Sequence, residues 1–528
     1  MTDDCIAKRL KINGIVQGVG FRPFIFQLAA RYDLKGEVAN TASGVTILLE
    51  GAADRIAAFQ DDLPQKHPPL AQITHITEQD EPVRGFEAFA ITPSKGDASR
   101  STLISPDVAI CNDCLQEMLD PQDRRYGYPF INCTNCGPRY TIIDDIPYDR
   151  PKTSMRHFKM CPQCQAEYDE PLDRRFHAQP NACEVCGPQV TLLDADRTTI
   201  QTSDPIKQAA ELLKQGHILA VKGLGGFHLA VDATNSQAVR RLRRRKHREE
   251  KPLAVMSYDL DQIKKYALIE PAAEALLTSI QRPIVLLPKR EPHPLAPEVS
   301  PRNQYFGVML PYTPLHYLLL DHEITALVMT SGNLSEEPIA IDNDDAFERL
   351  ANIADFFLIH DREIYLRSDD SIVRHVDKAI RFIRRSRGYV PVPVFLKRPV
   401  KSVLACGAEL KNTICLTKGE NAFVSQHVGD LENLATYEFF QLTIAHLKRI
   451  LDIDPDIIAY DLHPDYLSTR YAMDQSDIQI IGVQHHHAHI IACMAENQVD
   501  GPVIGLSFDG TGYGTDGKIW GGEVLVAE

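Results

Sequence analysis

Apolar and polar positions alternate around Leu10 and Ile12, give way to a glycine-rich stretch over residues 14–20, then recur at helical spacing from Phe21 to about Tyr32. This pattern predicts a strand, a loop and a helix in that order. Pro23 suits the first turn of the helix, where its missing N–H costs nothing. A turn-rich hairpin over residues 36–50, a second helix near 52–63, and strands near 71–77 and 85–92 follow. The resulting β-α-β-β-α-β order is the ferredoxin-like split motif. Between residues 200 and 390 the pattern changes: short apolar runs at 218–222, 253–256, 284–287 and 327–330 alternate with helical stretches, which predicts an α/β region. From Val403 another set begins, with residues 404–407 and 413–416 as paired strands, and the last residues, 522–526, again read as a strand.

A chain of 528 residues is too long for one core, and at about 150 residues per domain it holds three or four. The boundaries read as 1–92, 103–192, 200–390 and 400–528, with a polar linker from Pro93 to Thr102. Hydrophobic residues at 44% and charged residues at 24% exclude wholesale disorder and collagen-like structure. No apolar run reaches the roughly 18 residues a membrane span needs, and the N-terminus lacks the apolar core of a signal peptide. A cytoplasmic protein without a membrane partner is therefore expected. A formal charge of −15 argues against wholesale coating of nucleic acid but leaves room for local basic pockets.

Cysteine spacing is the clearest internal signal. Eight of the 12 cysteines form four CxxC pairs. Cys111/Cys114 and Cys133/Cys136 are separated by eighteen residues, and Cys161/Cys164 and Cys183/Cys186 repeat that spacing 50 residues later. The repeat extends beyond sulfur, since Asp123-Arg124-Arg125 recurs as Asp173-Arg174-Arg175 and Cys136-Gly137-Pro138 as Cys186-Gly187-Pro188. Two such knuckles can close a tetrahedral thiolate cage around zinc. Duplicated spacing disfavours four redox pairs, and a four-cysteine cage has no open position, so both sites are expected to be structural. Each repeat is poor in aliphatic residues, which leaves its folding energy to the metal. Cys406, Cys415 and Cys493 are expected as packed small residues rather than nucleophiles.

Three further patterns bear on chemistry. The glycine loop with Arg22 behind it is, on the ordinary reading, a tight turn with a surface arginine. On the functional reading its N–H groups and the guanidinium hold an anion. Seven of the nine residues 240–248 are basic (Arg240, Arg241, Arg243, Arg244, Arg245, Lys246 and Arg248), and Lys251-Pro252 follows. A solvated helix face, a nucleic-acid patch and a triphosphate pocket all remain open for that run. The stretch from Thr330 to Ser335, containing Ser331 and Asn333, follows a strand directly and offers small polar groups to an anion; Asp370-Ser371 and Arg384-Arg385 add to it. His485 and His489 stand four apart, which puts both imidazoles on one helical face, and Asp509 is the third candidate ligand of a metal site there. Gly512 to Lys518 has the spacing of a phosphate loop, but Ile519 stands where a hydroxyl is required.

The string from Gly14 through Gln17, Gly18, Val19 and Gly20 to Phe21-Arg22, with Asn40 on the next strand, resembles acylphosphatase. The resemblance implies a phosphate loop at Gln17, Gly18, Val19 and Gly20, a phosphate-binding Arg22 and an Asn40 that positions the attacking water. Lys246, Arg248 and Lys251 with Ser331 and Asn333 resemble the YrdC-like domain, which joins a carbamoyl unit to AMP from ATP. That likeness implies nucleotide-binding roles for Lys246, Arg248, Lys251, Thr330, Ser331, Asn333, Ser371 and Arg385, with Mg²⁺ sharing the charge. Lys222-Gly223 stands where threonine-condensing relatives carry a Pro-Thr-type motif, which implies a smaller acceptor such as carbamate.

The last segment resembles the first lobe of the carbamoyl-transferring domain of the actin-like ATPase class, the second lobe not being expected in these residues. It implies a further divalent metal, zinc or iron, at His485, His489 and Asp509. In this order the motifs resemble the carbamoyltransferases of [NiFe]-hydrogenase maturation, the HypF family. The resemblance implies three steps: hydrolysis of carbamoyl phosphate, adenylation of the carbamate by ATP, and carbamoyl transfer to the C-terminal cysteine of the partner HypE for cyanide synthesis, with no nucleic-acid partner. Two rivals predict other requirements. A tRNA threonylcarbamoyladenosine-type enzyme needs threonine, and a zinc-ribbon nucleic-acid-binding protein using residues 240–248 loses affinity steeply with salt.

Overall fold

A computed structural model describes the chain over residues 5–41, 44–92, 103–146, 148–320, 323–334 and 337–528. The linker expected at 93–102 and Ser335 lie outside the described residues.

The front unit follows the predicted elements, including both strands after the second helix. Strand β1 (Cys5–Ile15) leads through the glycine loop into helix α1 (Phe21–Arg31). Strands β2 (Lys35–Thr41) and β3 (Gly44–Ala52) pair as an antiparallel hairpin, α2 (Ala53–Lys66) crosses back, and β4 (Gln72–Glu81) pairs antiparallel with β1. A short β5 (Phe89–Ile91) runs parallel to β2, so the sheet order is β4-β1-β3-β2-β5. One face of the sheet buries Leu10, Ile12, Val45, Ile47 and Leu49 against Ile25 and Leu28 of α1 and Ile56 and Phe59 of α2. Each such side chain removed from water stabilises the unit by about 1.5–3 kcal/mol. The chain must reverse between β1 and α1 within a few residues. Gly18 and Gly20 take φ of +70° and +73°, a conformation that side chains with a Cβ resist.

The cysteine region is mostly turns. Its two helices, α3 (Asn112–Leu119) and α4 (Pro162–Asp169), each start directly after the first cysteine of a repeat. Its small core consists of Met118, Tyr128, Phe130 and Ile131 packed on the cysteines themselves. This region touches each of the other units. Thr134 and Tyr148 lie against Gly20 and Gly18 of the front loop, Arg362 of the middle unit covers the ring of Phe130, and Tyr140 donates to Gln426 Oε1 of the last unit at 2.7 Å.

The middle unit is a ten-stranded mixed sheet whose predicted strands appear as Leu219–Lys222, Val255–Met256, Ile284–Pro288 and Leu327–Ser331. Its edge strand is Val190–Asp194, paired antiparallel with Phe356–His360, so the sheet recruits residues that spacing alone attaches to the cysteine region. The last unit has a five-stranded sheet containing Val403–Ala405 and Ile457–Asp461, followed by the helix His485–Glu496. A separate two-stranded sheet joins Val503–Ser507 to Glu523–Ala527. Cys406 is buried and Cys415 half-buried, whereas Cys493 is exposed on its helix rather than packed. Among the described residues no helix is long and apolar enough to cross a membrane.

Candidate functional site

The eight paired cysteines form two separate cages. In the first, the Cys111–Cys133, Cys133–Cys136 and Cys136–Cys114 sulfurs are 3.7, 3.8 and 3.6 Å apart. In the second, Cys161–Cys183, Cys183–Cys186 and Cys186–Cys164 are 3.8, 3.8 and 3.6 Å apart. A tetrahedron with Zn–S bonds of about 2.3 Å has edges of about 3.8 Å, so both donor sets fit zinc.

The repeated Asp-Arg-Arg triplets explain why two cages occur together. Arg124 and Arg125 of the first repeat reach Cys164 Sγ of the second at 3.3 and 3.5 Å, and Arg174 of the second reaches Cys114 Sγ of the first at 3.4 Å. Glu167 closes one arginine pair at 2.7 and 2.5 Å, and Glu117 closes the other through Arg174 at 2.7 Å and through Arg175. Guanidinium donors facing a cage of net negative charge stabilise it electrostatically. Each repeat thus completes its neighbour.

The front loop faces a cavity of about 310 Å³ lined by Gln17, Gly18, Gly20, Arg22 and Asn40. Gln17 Nε2 donates to the carbonyls of Thr41 and Gly44 at 2.8 and 2.7 Å, tying the loop to the β2–β3 hairpin. Val19 is fully buried in the core and does not line the cavity. Among the described residues Arg22 makes no hydrogen bond or ion pair, and the Oδ1 of Asn40 is buried without a partner. Burial pulls the Arg22 guanidinium below its usual range, opposed most by Asp149. An open cation and an orphaned amide beside a glycine loop suit a tetrahedral anion and a water.

A second cavity, about 640 Å³, is lined by Lys246, Arg248, Lys251, Thr330, Ser331 and Asn333. Lys246 Nζ donates to the Ser331 carbonyl at 2.7 Å, to Asn333 Oδ1 at 2.8 Å and to the Asn333 carbonyl, so it clamps the turn after the strand. Burial, then Arg248 and Lys251, push the Lys246 ammonium down to about 7; burial takes Arg248 to about 10. Cations crowded this closely await an anion.

Two of the implied residues lie off this cavity. Ser371 is fully buried, donating to the Arg387 carbonyl at 2.9 Å and accepting from Ser386 N at 2.8 Å. Arg385, just past the strand Ala379–Arg384, turns away and donates to the carbonyls of Tyr389, Val392 and Val424. Their neighbours Asp370 and Arg384 line the cavity instead, with Asp369 and, from the last unit, His427, which meets Asp369 Oδ2 at 2.8 Å. Despite burial, Arg387 and His228 hold the Asp370 carboxyl well below its usual range.

Three further arginines of the basic run are engaged within the fold. Arg243 donates to the carbonyls of Glu298, Arg248, Glu249, Lys251 and Val299; Arg245 pairs with Asp355 at 2.6 Å; Arg241 donates to Gly216 O at 2.5 Å. Bound in this way, these arginines form no nucleic-acid stripe.

On the helix His485–Glu496, His485 Nε2 and His489 Nε2 lie 3.0 and 3.2 Å from Asp509 Oδ2 and 3.2 Å from each other. Asp461, at the end of its strand, meets His485 Nδ1 at 2.6 Å and so turns Nε2 toward Asp509. Three converging donor atoms, one of them a carboxylate oxygen, suit a divalent cation, with open positions left over. The neighbouring histidines do other work: His486 is buried against the Asp509 carbonyl at 3.0 Å, and the His487 backbone N–H donates to the Gln484 cap. In the rejected phosphate-loop spacing, Ile519-Trp520 forms a strand.

Two cation-lined cavities and three metal-fitting clusters along one chain suit a multidomain group-transfer enzyme. Family models match in the same order: acylphosphatase at residues 8–91, HypF finger at 110–143 and 160–193, telomere recombination (the Sua5/YciO/YrdC model) at 211–386, and HypF Kae1-like domain at 398–496. The second subdomain of the carbamoyltransferase Kae1-like domain matches 505–528. The carbamoyltransferase HypF2 of Cupriavidus necator is 49% identical over 98% of this chain and 67% of its own length. The HypF of Synechocystis is 50% identical, again over 98% and 67%. A crystal structure of full-length HypF in a phosphate- and nucleotide-bound form superimposes with a TM-score of 0.94 at 49% identity, covering 100% of this chain and 69% of that one. A crystal structure of T. kodakarensis HypF gives a TM-score of 0.90 at 46% identity, covering 99% of this chain and 68% of that one. The chain belongs to the HypF family of carbamoyltransferases of hydrogenase maturation.

Proposed function

We propose that the chain converts carbamoyl phosphate to a protein-bound carbamoyl group in three steps, and that its partner is the C-terminal cysteine of HypE. At the front cavity the glycine-loop N–H groups and Arg22 hold the phosphate, and Asn40 orients a water. Water attacks phosphorus, the bond between phosphorus and the bridging oxygen breaks, and carbamate, phosphate and a proton leave. Charge neutralisation and placement suffice for so reactive a mixed anhydride.

At the second cavity a carbamate oxygen attacks the α-phosphorus of ATP, pyrophosphate leaves, and carbamoyl adenylate forms. Lys246, Arg248 and Lys251 neutralise the triphosphate, with Mg²⁺ sharing that load. In the last unit the acceptor thiolate attacks the carbamoyl carbon and AMP leaves. A divalent ion bound by His485, His489 and Asp509 would supply Lewis-acid charge there. A small space bordered by Pro138, Lys222, Gly223, His360 and Arg362 adjoins Arg139 of the front cavity and His228 of the second. It supports an enclosed handover of carbamate, which decomposes in water; complete release of carbamate to solvent before adenylation, measured by trapping, would overturn the enclosure.

The observation that carries this reading is the unpaired Arg22 facing an anion-sized cavity behind the glycine loop. ATP–pyrophosphate exchange should require carbamoyl phosphate and not threonine, and Arg22→Ala should abolish it. Undiminished exchange in that variant would overturn the assignment.

A further inference from the structure

The front cavity has two walls of different origin. The loop, Arg22 and Asn40 form one, and the cysteine region supplies the other. Most polar groups on this second wall are already engaged. Thr134 Oγ1 donates to Arg174 O at 3.0 Å, Tyr148 OH to Pro138 O at 3.3 Å and Ser105 Oγ to Pro106 O at 3.4 Å. Gln179 Oε1 accepts from Arg150 N at 2.8 Å and Tyr168 OH at 3.0 Å.

Asp149 differs from all of these. It lies at the exposed rim of the cavity, and among the described residues its carboxylate makes neither a hydrogen bond nor an ion pair. Its backbone is nevertheless pinned. The neighbouring Arg150 guanidinium donates to the carbonyls of Gln179, Asn181 and Phe158 at 2.6, 2.9 and 2.6 Å, which moors this corner to the second repeat. Of the charges around Arg22, Asp149 is the one that most favours its protonated form, yet the two do not pair within 4 Å.

Carbamoyl phosphate makes opposite demands at its two ends. The phosphate needs donors, and the amide offers two N–H groups that need acceptors. A loop of N–H groups with Arg22 on one wall and a free carboxylate on the other match that polarity. Acetyl phosphate presents a methyl group where the amide would be. We propose that Asp149 is a specificity-determining residue: its carboxylate accepts an N–H of the carbamoyl amide and selects carbamoyl phosphate over acyl phosphates with apolar acyl groups. Asp149 exchanges no proton in the step; it holds the amide end while water attacks phosphorus. The inference rests on the front-unit reading above.

The test compares phosphate release from carbamoyl phosphate and from acetyl phosphate by the full chain. A hydrogen bond to a charged acceptor contributes on the order of 10–100-fold. Asp149→Ala should lower the ratio of kcat/KM for carbamoyl phosphate to that for acetyl phosphate by at least about tenfold, and Asp149→Asn, which keeps one accepting oxygen, by less. An unchanged ratio, or equal loss on both substrates, overturns the proposal. Zinc content reports folding; if Asp149→Ala loses zinc, Asp149→Asn alone must lower the ratio or the proposal fails. Arg22→Ala separates the two readings. If it spares hydrolysis of both substrates, the front-unit reading fails; if it abolishes both while Asp149 variants keep the ratio, only the role of Asp149 fails.

Discussion

The two cysteine cages and the histidine cluster are both metal-fitting, yet they are built on opposite principles. Each cage presents four sulfurs at tetrahedral spacing, mostly buried and backed by arginines from the other repeat. The histidine cluster presents three donors, one of them on an exposed residue, and a single carboxylate behind them. The first arrangement leaves a metal nothing to bind except the protein. The second leaves room for another molecule. The contrast suits the cages to stability and fits the reactivity proposed for the histidines.

Three substitutions would sharpen or break that contrast. The largest effect belongs to Cys114→Ser, which opens a buried cage in the region that contacts all three other units. Structural zinc contributes about 10–16 kcal/mol in small domains, so the variant should lose zinc and either aggregate or show a thermal transition lower by at least about 10 °C. His485→Ala comes next: metal analysis should show the loss of one equivalent with both zinc equivalents kept, and the transition should move by no more than about 2 °C. A fall as large as that of the cysteine variant would erase the distinction. The smallest effect is expected for Arg174→Ala, which removes charge-assisted donors from Cys114 and Glu117. Zinc release to a colorimetric chelator should quicken about tenfold from the first cage and less from the second.

Features carried by contiguous residues were readable from the chain. The glycine loop with Arg22, each CxxC pair and the i, i+4 histidines lie in short segments; the loop lines a cavity, the cysteines gather in two cages and the histidines meet Asp509. What escaped comes from partners distant in sequence. Asp149 and Tyr148 complete a cavity whose other wall lies more than a hundred residues earlier, and His427 enters the second cavity from another unit. Neighbouring residues also diverge at a strand end: Arg384 lines that cavity, while Arg385 points away to backbone carbonyls. Charge counting could not tell that Arg241, Arg243 and Arg245 would be spent on carbonyls and Asp355. Strand β5 was readable, but its parallel pairing with β2 depends on a crossover that alternation does not encode.

The exchange of arginines between the repeats has a consequence for engineering. Cut free, either half would carry an unanswered guanidinium pair, an unanswered glutamate and a thiolate cluster lacking its outer donors. A second copy of the same half offers all three in the matching positions. A lone repeat is thus expected to pair with a second copy of itself, as the two halves of the tandem do here.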